Sequence, residues 1–223
     1  MVHLSLPQTP LKLHGSAQST SRVLLTILEL SLPYVLVTVD IAKGEHESDE
    51  YRRLQPFGKV PVLEDGGLVV FESRAVCRYL CRKYGTEKNL MPSGEDIEAY
   101  AKFEQACSVE QSYFAAAAET IGFELFIKPK KSLGPPDLSR VAQAEKGLDT
   151  CLAIYDKILA QQKYIAGDEL TLADLFHLPN GAALRAGKWR SIFERYGNVE
   201  RWFKGLQERE TWAKASGEAG TVT

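Results

Sequence analysis

The chain changes its hydrophobic grammar once, near residue 90, and that change constrains the fold more than any other feature. Before it, short runs rich in β-branched and aromatic residues alternate with runs of helical spacing. Pro10–His14 (PLKLH) alternates apolar and polar residues as a strand does, and Gly15 punctuates it. Between Ser19 and Leu30, Val23, Ile27 and Leu30 fall at i, i+4 and i+7, with Ser and Thr placed to cap the start. Pro33–Val39 (PYVLVTV), Val60–Leu63 and Leu68–Phe71 (LVVF) return to strand composition, the last after the turn signal Asp65-Gly66-Gly67. An amphipathic helix then runs from Ser73 through Val76, Tyr79 and Leu80 to about Tyr84. Further on, strand signals almost vanish. Helical runs cover about Ile97–Glu119, Leu138–Gln161, Leu172–Leu184 and Val199–Glu208, with Pro129, Pro135 and Pro136 breaking the pattern between the first two.

The order of the first part is β-α-β, a connecting stretch, then β-β-α. A helix between two strands implies a right-handed parallel crossover, and a tight turn between two strands implies an antiparallel hairpin. Together they predict a mixed four-stranded sheet with helices, the thioredoxin-like arrangement, whose connecting stretch would hold a short second helix. The expected organisation is therefore an α/β thioredoxin-like domain at 1–86, a linker at 87–94 and an all-α domain at 95–223. The linker has the polarity and turn residues of a domain boundary.

At 223 residues and 44% hydrophobic, the chain buries enough apolar surface to fold without staples. Lys and Arg total 27 against 29 Asp and Glu, a net charge of −2, which argues against a nucleic-acid partner. No apolar run approaches the roughly 18 residues of a membrane span, and MVHLSLPQTPLK lacks the apolar stretch of a secretory signal. The four cysteines do not form a disulfide framework. Cys77 and Cys81 are i, i+4 on one helix, Cys107 and Cys151 stand alone, and no second pair sits at zinc-ligand spacing, so no metal is expected. These features describe a cytoplasmic protein with reduced thiols.

The most informative segment is Pro56-Phe57-Gly58-Lys59-Val60-Pro61, followed ten residues on by Phe71-Glu72-Ser73-Arg74-Ala75. A proline just before a pairing strand cannot donate a ladder hydrogen bond. Val60-Pro61 is thus a candidate cis bond that turns the Val60 amide and carbonyl toward a ligand. Ser73 opens a helix directly after a strand. As N-cap, its amide and hydroxyl would face outward at the positive helix end and receive a carboxylate. Glu72 beside it could take an ammonium, so a ligand with adjacent α-amino and α-carboxylate groups would satisfy both. In the helical part, Thr171 and Asp174 have the spacing of a capping box, which makes Asp174 a folding residue.

These runs resemble the cytosolic glutathione transferases, specifically the phi-like members of plants and fungi. Lys43-Gly44-Glu45-His46, Gln55-Pro56-Phe57-Gly58-x-Val60-Pro61, Leu63-Glu64-Asp65, Phe71-Glu72-Ser73-Arg74-Ala75 and Tyr164–Asp174 follow that pattern along nearly the whole chain. The resemblance implies glutathione as ligand, no metal, and a homodimer with the Phe57 side chain inserted into the partner. Val60 and Pro61 would hold the cysteinyl part, Glu72 and Ser73 the γ-glutamyl end, and His46 the glycyl carboxylate. Two positions depart from the pattern. Glu47 stands where the family has Lys and would repel that carboxylate, and Lys59 stands where it has Gln and would supply the displaced positive charge.

Such an enzyme must supply thiolate although a free thiol has a pKa of roughly 8.5. A hydroxyl at the start of the first helix, aided by the helix dipole, would serve. The segment Gly15–Val23 is two residues shorter than the phi-like pattern. Counting from Gly15 selects Ser19; counting back from Arg22-Val23 selects Ala17. Ser19 is preferred, with Ser16, Thr20 and Ser21 as the other candidates. The alternative is that these hydroxyls only cap the helix. The electrophile pocket is expected between the domains, lined by Tyr113, Phe114, Phe123 and Phe126, and suits a small hydrophobic electrophile. Three functions fit: glutathione conjugation; glutathione-dependent cis-trans isomerisation by reversible thiolate addition, in a small-molecule (secondary metabolite) pathway; or a non-catalytic binding or regulatory module.

Overall fold

The structure is a computed structural model that describes residues 6–16, 18–85 and 90–219. The chain divides into two compact units. One runs through Pro92 and takes up the chain again from Glu208; the other is Ser93–Gln207.

The first unit is built from β1 (Leu11–His14), α1 (Gln18–Glu29), β2 (Tyr34–Val37), a 3₁₀ turn at Glu45–Glu47, α2 (Asp49–Leu54), β3 (Val62–Asp65), β4 (Leu68–Phe71) and α3 (Ser73–Tyr84). The sheet order is β2-β1-β3-β4. β1 runs parallel to β2, with Leu11 opposite Tyr34, and antiparallel to β3, with Leu13 opposite Leu63. β3 and β4 form the hairpin, with Val62 opposite Phe71. The expected thioredoxin-like mixed sheet is therefore present.

Strand alternation gives the sheet two cores. Leu11, Leu13 and Leu63 are fully buried on the face that α3 covers, where Tyr79, Lys83 and Tyr84 of α3 all reach Asp65 Oδ2, at 2.7, 2.8 and 2.6 Å. α1 packs on α3, and Val23, Leu24 and Ile27 of α1 and Val76, Cys77 and Leu80 of α3 are all fully buried. On the opposite face Val62 clusters with Val39 and Tyr51, joined by Leu54, Val60 and Phe71. Ser48 caps α2 by accepting from the Tyr51 amide at 3.2 Å.

The second unit opens with α4 (Ile97–Val109), capped by Asp96. Helical structure continues through a π-helical turn (Glu110–Ala115), α5 (Ala116–Gly122), a second π turn (Phe123–Ile127) and α6 (Lys128–Lys130). The sequence predicts one uninterrupted run ending near Glu119. Each π turn admits an extra residue and rotates the helix beyond it, which hides the continuation from a 3.6-residue period. Glu124, fully buried in the second π turn, accepts from Lys128 Nζ, Arg140 Nη1 and the Asp137 amide at 2.8, 2.8 and 2.9 Å.

Asp137 caps α7 (Leu138–Leu159), which packs on α5. There follow α8 (Leu172–Leu175), α9 (Leu178–Ala186), α10 (Arg190–Glu194) and α11 (Gly197–Gln207). Their core holds Phe114, Tyr155, Phe176, Phe193 and Phe203, all essentially without exposed surface. At Gly181 a Cβ would overlap the Phe203 ring, so glycine permits the close approach of α9 and α11. Thr171 and Asp174 form a capping box, and Asp174 also accepts from the Ile165 amide and the Trp202 indole at 2.9 Å each.

The last helix, α12 (Glu210–Glu218), corrects the expected boundary. The sequence assigns all of 95–223 to the second domain, yet α12 packs on α1 in the first unit. The physical reason is Glu29. This α1 carboxylate is buried, and Arg209 pairs with it through Nε and Nη2 at 2.7 and 2.8 Å while the Thr211 hydroxyl also donates to it. Tyr34 of β2 donates to Glu218 at 2.6 Å. Among the described residues no helix is long and apolar enough to cross a membrane, and no group of three or more His, Cys, Asp or Glu could hold a metal ion.

Candidate active site

The start of α1 presents four candidate hydroxyls, and their hydrogen bonds separate them. Ser16 donates to the Val39 carbonyl at 2.5 Å, and Ser21 turns back onto the Gln18 carbonyl at 2.6 Å. Thr20 is fully buried and packs so closely on Gly15 that a Cβ there would overlap it. Ser19 is half-buried and donates to the Val60 carbonyl at 3.0 Å. Ala17, the other register, lies outside the described residues. Ser19 is thus the hydroxyl that stands over the loop before β3.

That loop is pinned from behind. Tyr51 of α2 donates to the Lys59 carbonyl at 2.9 Å, and burial pushes the Tyr51 hydroxyl up to about 12, so it remains a donor. The Val60–Pro61 peptide is cis. The Lys59 side chain is exposed. Gln55 accepts from the Phe57 amide at 2.6 Å, and the Phe57 ring stands 71% exposed, edge-on to Phe71 with centroids 6.1 Å apart.

At the start of α3 the structure shifts the cap by one residue. The sequence makes Ser73 the N-cap; in the fold Glu72 caps, and Ser73 is the first helical residue. Glu72 sits at φ 69°, ψ 102°, a left-handed conformation that costs a non-glycine residue about 1–3 kcal/mol. Its side chain is exposed. The surrounding packing therefore imposes a backbone that a free chain would avoid, and such outliers concentrate at ligand sites. Ser73 is buried, and its Oγ accepts from Arg22 Nη1 of α1 at 2.9 Å. The hydroxyl that the sequence points outward is held on one side by this guanidinium. Arg22 is absent from the sequence-based set, although it is the one cation between Ser16 and Leu30.

His46 lies in the 3₁₀ turn, buried, with its Nδ1 unpartnered and its Nε2 3.5 Å from a Glu47 carboxylate oxygen. A Cβ on Gly58 would come 2.9 Å from the His46 carbonyl, which places this turn against the loop carrying Lys59. The contacts form one row within the first unit: His46, Gly58, Lys59, Val60, Ser19, Arg22, Ser73, Glu72. It offers two backbone groups at Val60, a hydroxyl donor, a cation next to helix amides, an exposed carboxylate and a buried imidazole. An extended zwitterionic peptide matches that order.

The second-unit aromatics divide. Phe114 has no exposed surface and packs on His177 and Phe193, with centroids 4.6 and 6.4 Å away; it belongs to the core, not to a pocket wall, which corrects that expectation. Tyr113 is 63% exposed, while Phe123 and Phe126 on the second π turn are 37% and 61% exposed. The four cysteines are all buried and free. Burial pushes the Cys77 and Cys151 thiols up to about 11 and Cys81 further, so none of these three supplies a thiolate at neutral pH.

Residues 19–83 match the glutathione S-transferase N-terminal domain family and residues 114–210 the glutathione S-transferase C-terminal domain family. The chain belongs to the glutathione S-transferases. The sequence is 60% identical over 209 residues to glutathione S-transferase hmp2 of Hypomyces subiculosus, covering 94% of this chain and 99% of that one. Glutathione transferase F2 from Populus trichocarpa superposes with a TM-score of 0.88 at 36% identity, over 96% of this chain and 100% of the other. Glutathione S-transferase I from mais, in complex with an atrazine glutathione conjugate, superposes at 0.87 with 33% identity, over 96% and 100%. The phi-like grouping and the fold read from the motifs are both borne out by these glutathione S-transferases.

Proposed function

We propose that this glutathione S-transferase activates the thiol of glutathione through Ser19 and directs it at a hydrophobic electrophile. One observation carries this reading: the Ser19 hydroxyl lies 3.0 Å from the Val60 carbonyl, in the same row as the start of α3. A cysteinyl amide that pairs with that carbonyl displaces the Ser19 hydroxyl from it, and the released O–H then donates to the sulfur beside it. A hydrogen bond to a charged group contributes about 1.5–3 kcal/mol, and the α1 N-terminus adds its dipole. Both favour thiolate over thiol.

The remaining ligand groups are distributed along the row. The γ-glutamyl ammonium meets Glu72, its carboxylate meets Ser73 and the amides that open α3, and the glycyl carboxylate meets the unpartnered Nδ1 of His46, with Lys59 supplying charge. Tyr113, Phe123 and Phe126 are the electrophile-contacting aromatics, and the atrazine glutathione conjugate in complex with the mais enzyme favours a hydrophobic electrophile. Phe57 anchors a homodimer: its exposed ring is what an interface would bury. Phe57→Ser is expected to convert a dimer to a monomer in light scattering; an unchanged mass refutes the anchor.

The deciding experiment incubates the protein with glutathione and either an aryl halide or a cis-configured conjugated polyene. Consumption of glutathione supports the reading. Rearranged polyene with glutathione fully recovered replaces it by isomerisation, and no turnover of either leaves a binding module.

A further inference from the structure

We propose that Arg22 is a positioning residue of the glutathione site, fixing the Ser73 hydroxyl as a donor to the ligand's γ-glutamyl carboxylate. This deepens the proposed function and rests on it. Arg22 is 3% exposed and Ser73 8%, and Arg22 Nη1 donates to Ser73 Oγ at 2.9 Å. A guanidinium has donors only, so the serine oxygen is the acceptor in this bond and its own proton is left to give elsewhere. The cation also polarises that O–H, because charge-assisted bonds strengthen their neighbours in a dry setting. What suits such a donor, at the positive end of a twelve-residue helix, is an anion.

The placement is rigid. The Arg22 carbonyl accepts from Thr26 Oγ1 at 3.1 Å and from Cys77 Sγ at 3.6 Å, so α1 is tied to α3 at this level by backbone as well as side chain. Ser19 precedes Arg22 by three residues, and residues three apart share a helix face. One turn of α1 therefore sets the spacing between the hydroxyl proposed for the sulfur and the one proposed for the carboxylate. The shortened loop before the helix leaves this i, i+3 pair intact as a unit.

The test uses Arg22→Met, Arg22→Lys, Ser73→Ala and the double variant Arg22→Met/Ser73→Ala in the full chain. Initial rates are measured with glutathione varied at saturating aryl halide, then with 4-aminobutyryl-cysteinyl-glycine, which lacks the γ-glutamyl carboxylate. Arg22→Met and Ser73→Ala are each expected to raise KM for glutathione about tenfold with kcat changed less than about threefold. Arg22→Lys should recover part of the loss, and the double variant should be no worse than either single one. The wild-type preference for glutathione over the analogue should largely disappear in Arg22→Met. Additive effects in the double variant, or an unchanged preference in Arg22→Met, overturn the role of Arg22. If Arg22→Met does not fold, Arg22→Lys with and without Ser73→Ala supplies the same comparison, and additivity or an unchanged preference there overturns the role in the same way. Wild-type protein that does not turn over glutathione overturns the proposed function, whereas turnover with flat variants overturns only this inference.

Discussion

Replacing Asp174 by Ala tests whether this carboxylate is a folding residue. It is fully buried and accepts four hydrogen bonds: the Ile165 amide and Trp202 indole on one oxygen, at 2.9 Å each, and the Thr171 amide and hydroxyl on the other, at 2.9 and 3.1 Å. A buried donor left unmade costs about 1–3 kcal/mol. Taking only the Ile165 and Trp202 donors as unreachable by water, near the middle of that range, gives about 4 kcal/mol. Burial pushes the Asp174 pKa up despite these bonds, so relief from burying the carboxylate trims the loss rather than adding to it. For a chain of this size each kcal/mol moves Tm by about 2–4 °C, so Asp174→Ala should melt about 8–16 °C lower. Asp174→Asn keeps one oxygen acceptor and should lose about half as much. Scanning calorimetry provides the melting temperatures, and specific activity of the folded protein at 25 °C provides the control. A melting point within about 2 °C of wild type refutes the accounting. So would normal melting with lost turnover, which would make Asp174 catalytic.

Ser19→Ala removes the donor proposed for the sulfur; the thiol pKa of bound glutathione, followed by thiolate absorbance, should rise by about one to two units. An unmoved titration would return Ser19 to helix capping. Glu47→Lys should lower KM for glutathione and Lys59→Glu should raise it, each severalfold, because the proposed site sets both side chains near the glycyl carboxylate; unchanged affinity in Lys59→Glu removes that residue from the site. Burial alone would raise Asp65, but hydrogen bonds from Lys83, Tyr84 and Tyr79 outweigh it and hold its pKa below the usual carboxylate value. A depressed folded value means that its stability contribution is present above the unfolded pKa of about 3.9 and is lost as pH falls through the lower folded value. Lys83→Met should therefore move the acid-unfolding midpoint, followed by circular dichroism, to higher pH, and a coincident curve contradicts the sign.

Much of the first unit was legible because strands and helices there carry opposite periods, and the Val60-Pro61 position betrays a backbone turned from its neighbours. What escaped the sequence depends on partners far along the chain. Glu72 is a poor cap by propensity, and only tertiary packing puts it at φ 69° and moves Ser73 into the helix. Tyr113 and Phe114 are adjacent and both aromatic, yet one is exposed and the other is core, a split decided by the π turn they share. Counting from Gly15 already selects Ser19; what the sequence does not show is its hydrogen bond to the Val60 carbonyl, 41 residues away. α12 carries no motif that points to α1; its assignment rests on a buried Glu29 whose cation lies 180 residues later.

That separation orders events during synthesis. A ribosome delivers Ser93–Gln207 whole before it delivers Arg209, so the second unit has every one of its residues while the first still lacks the helix that covers α1 and the guanidinium that neutralises Glu29. The first unit therefore waits for its α12 contacts, the Arg209 ion pair to Glu29 among them, until that helix has been made.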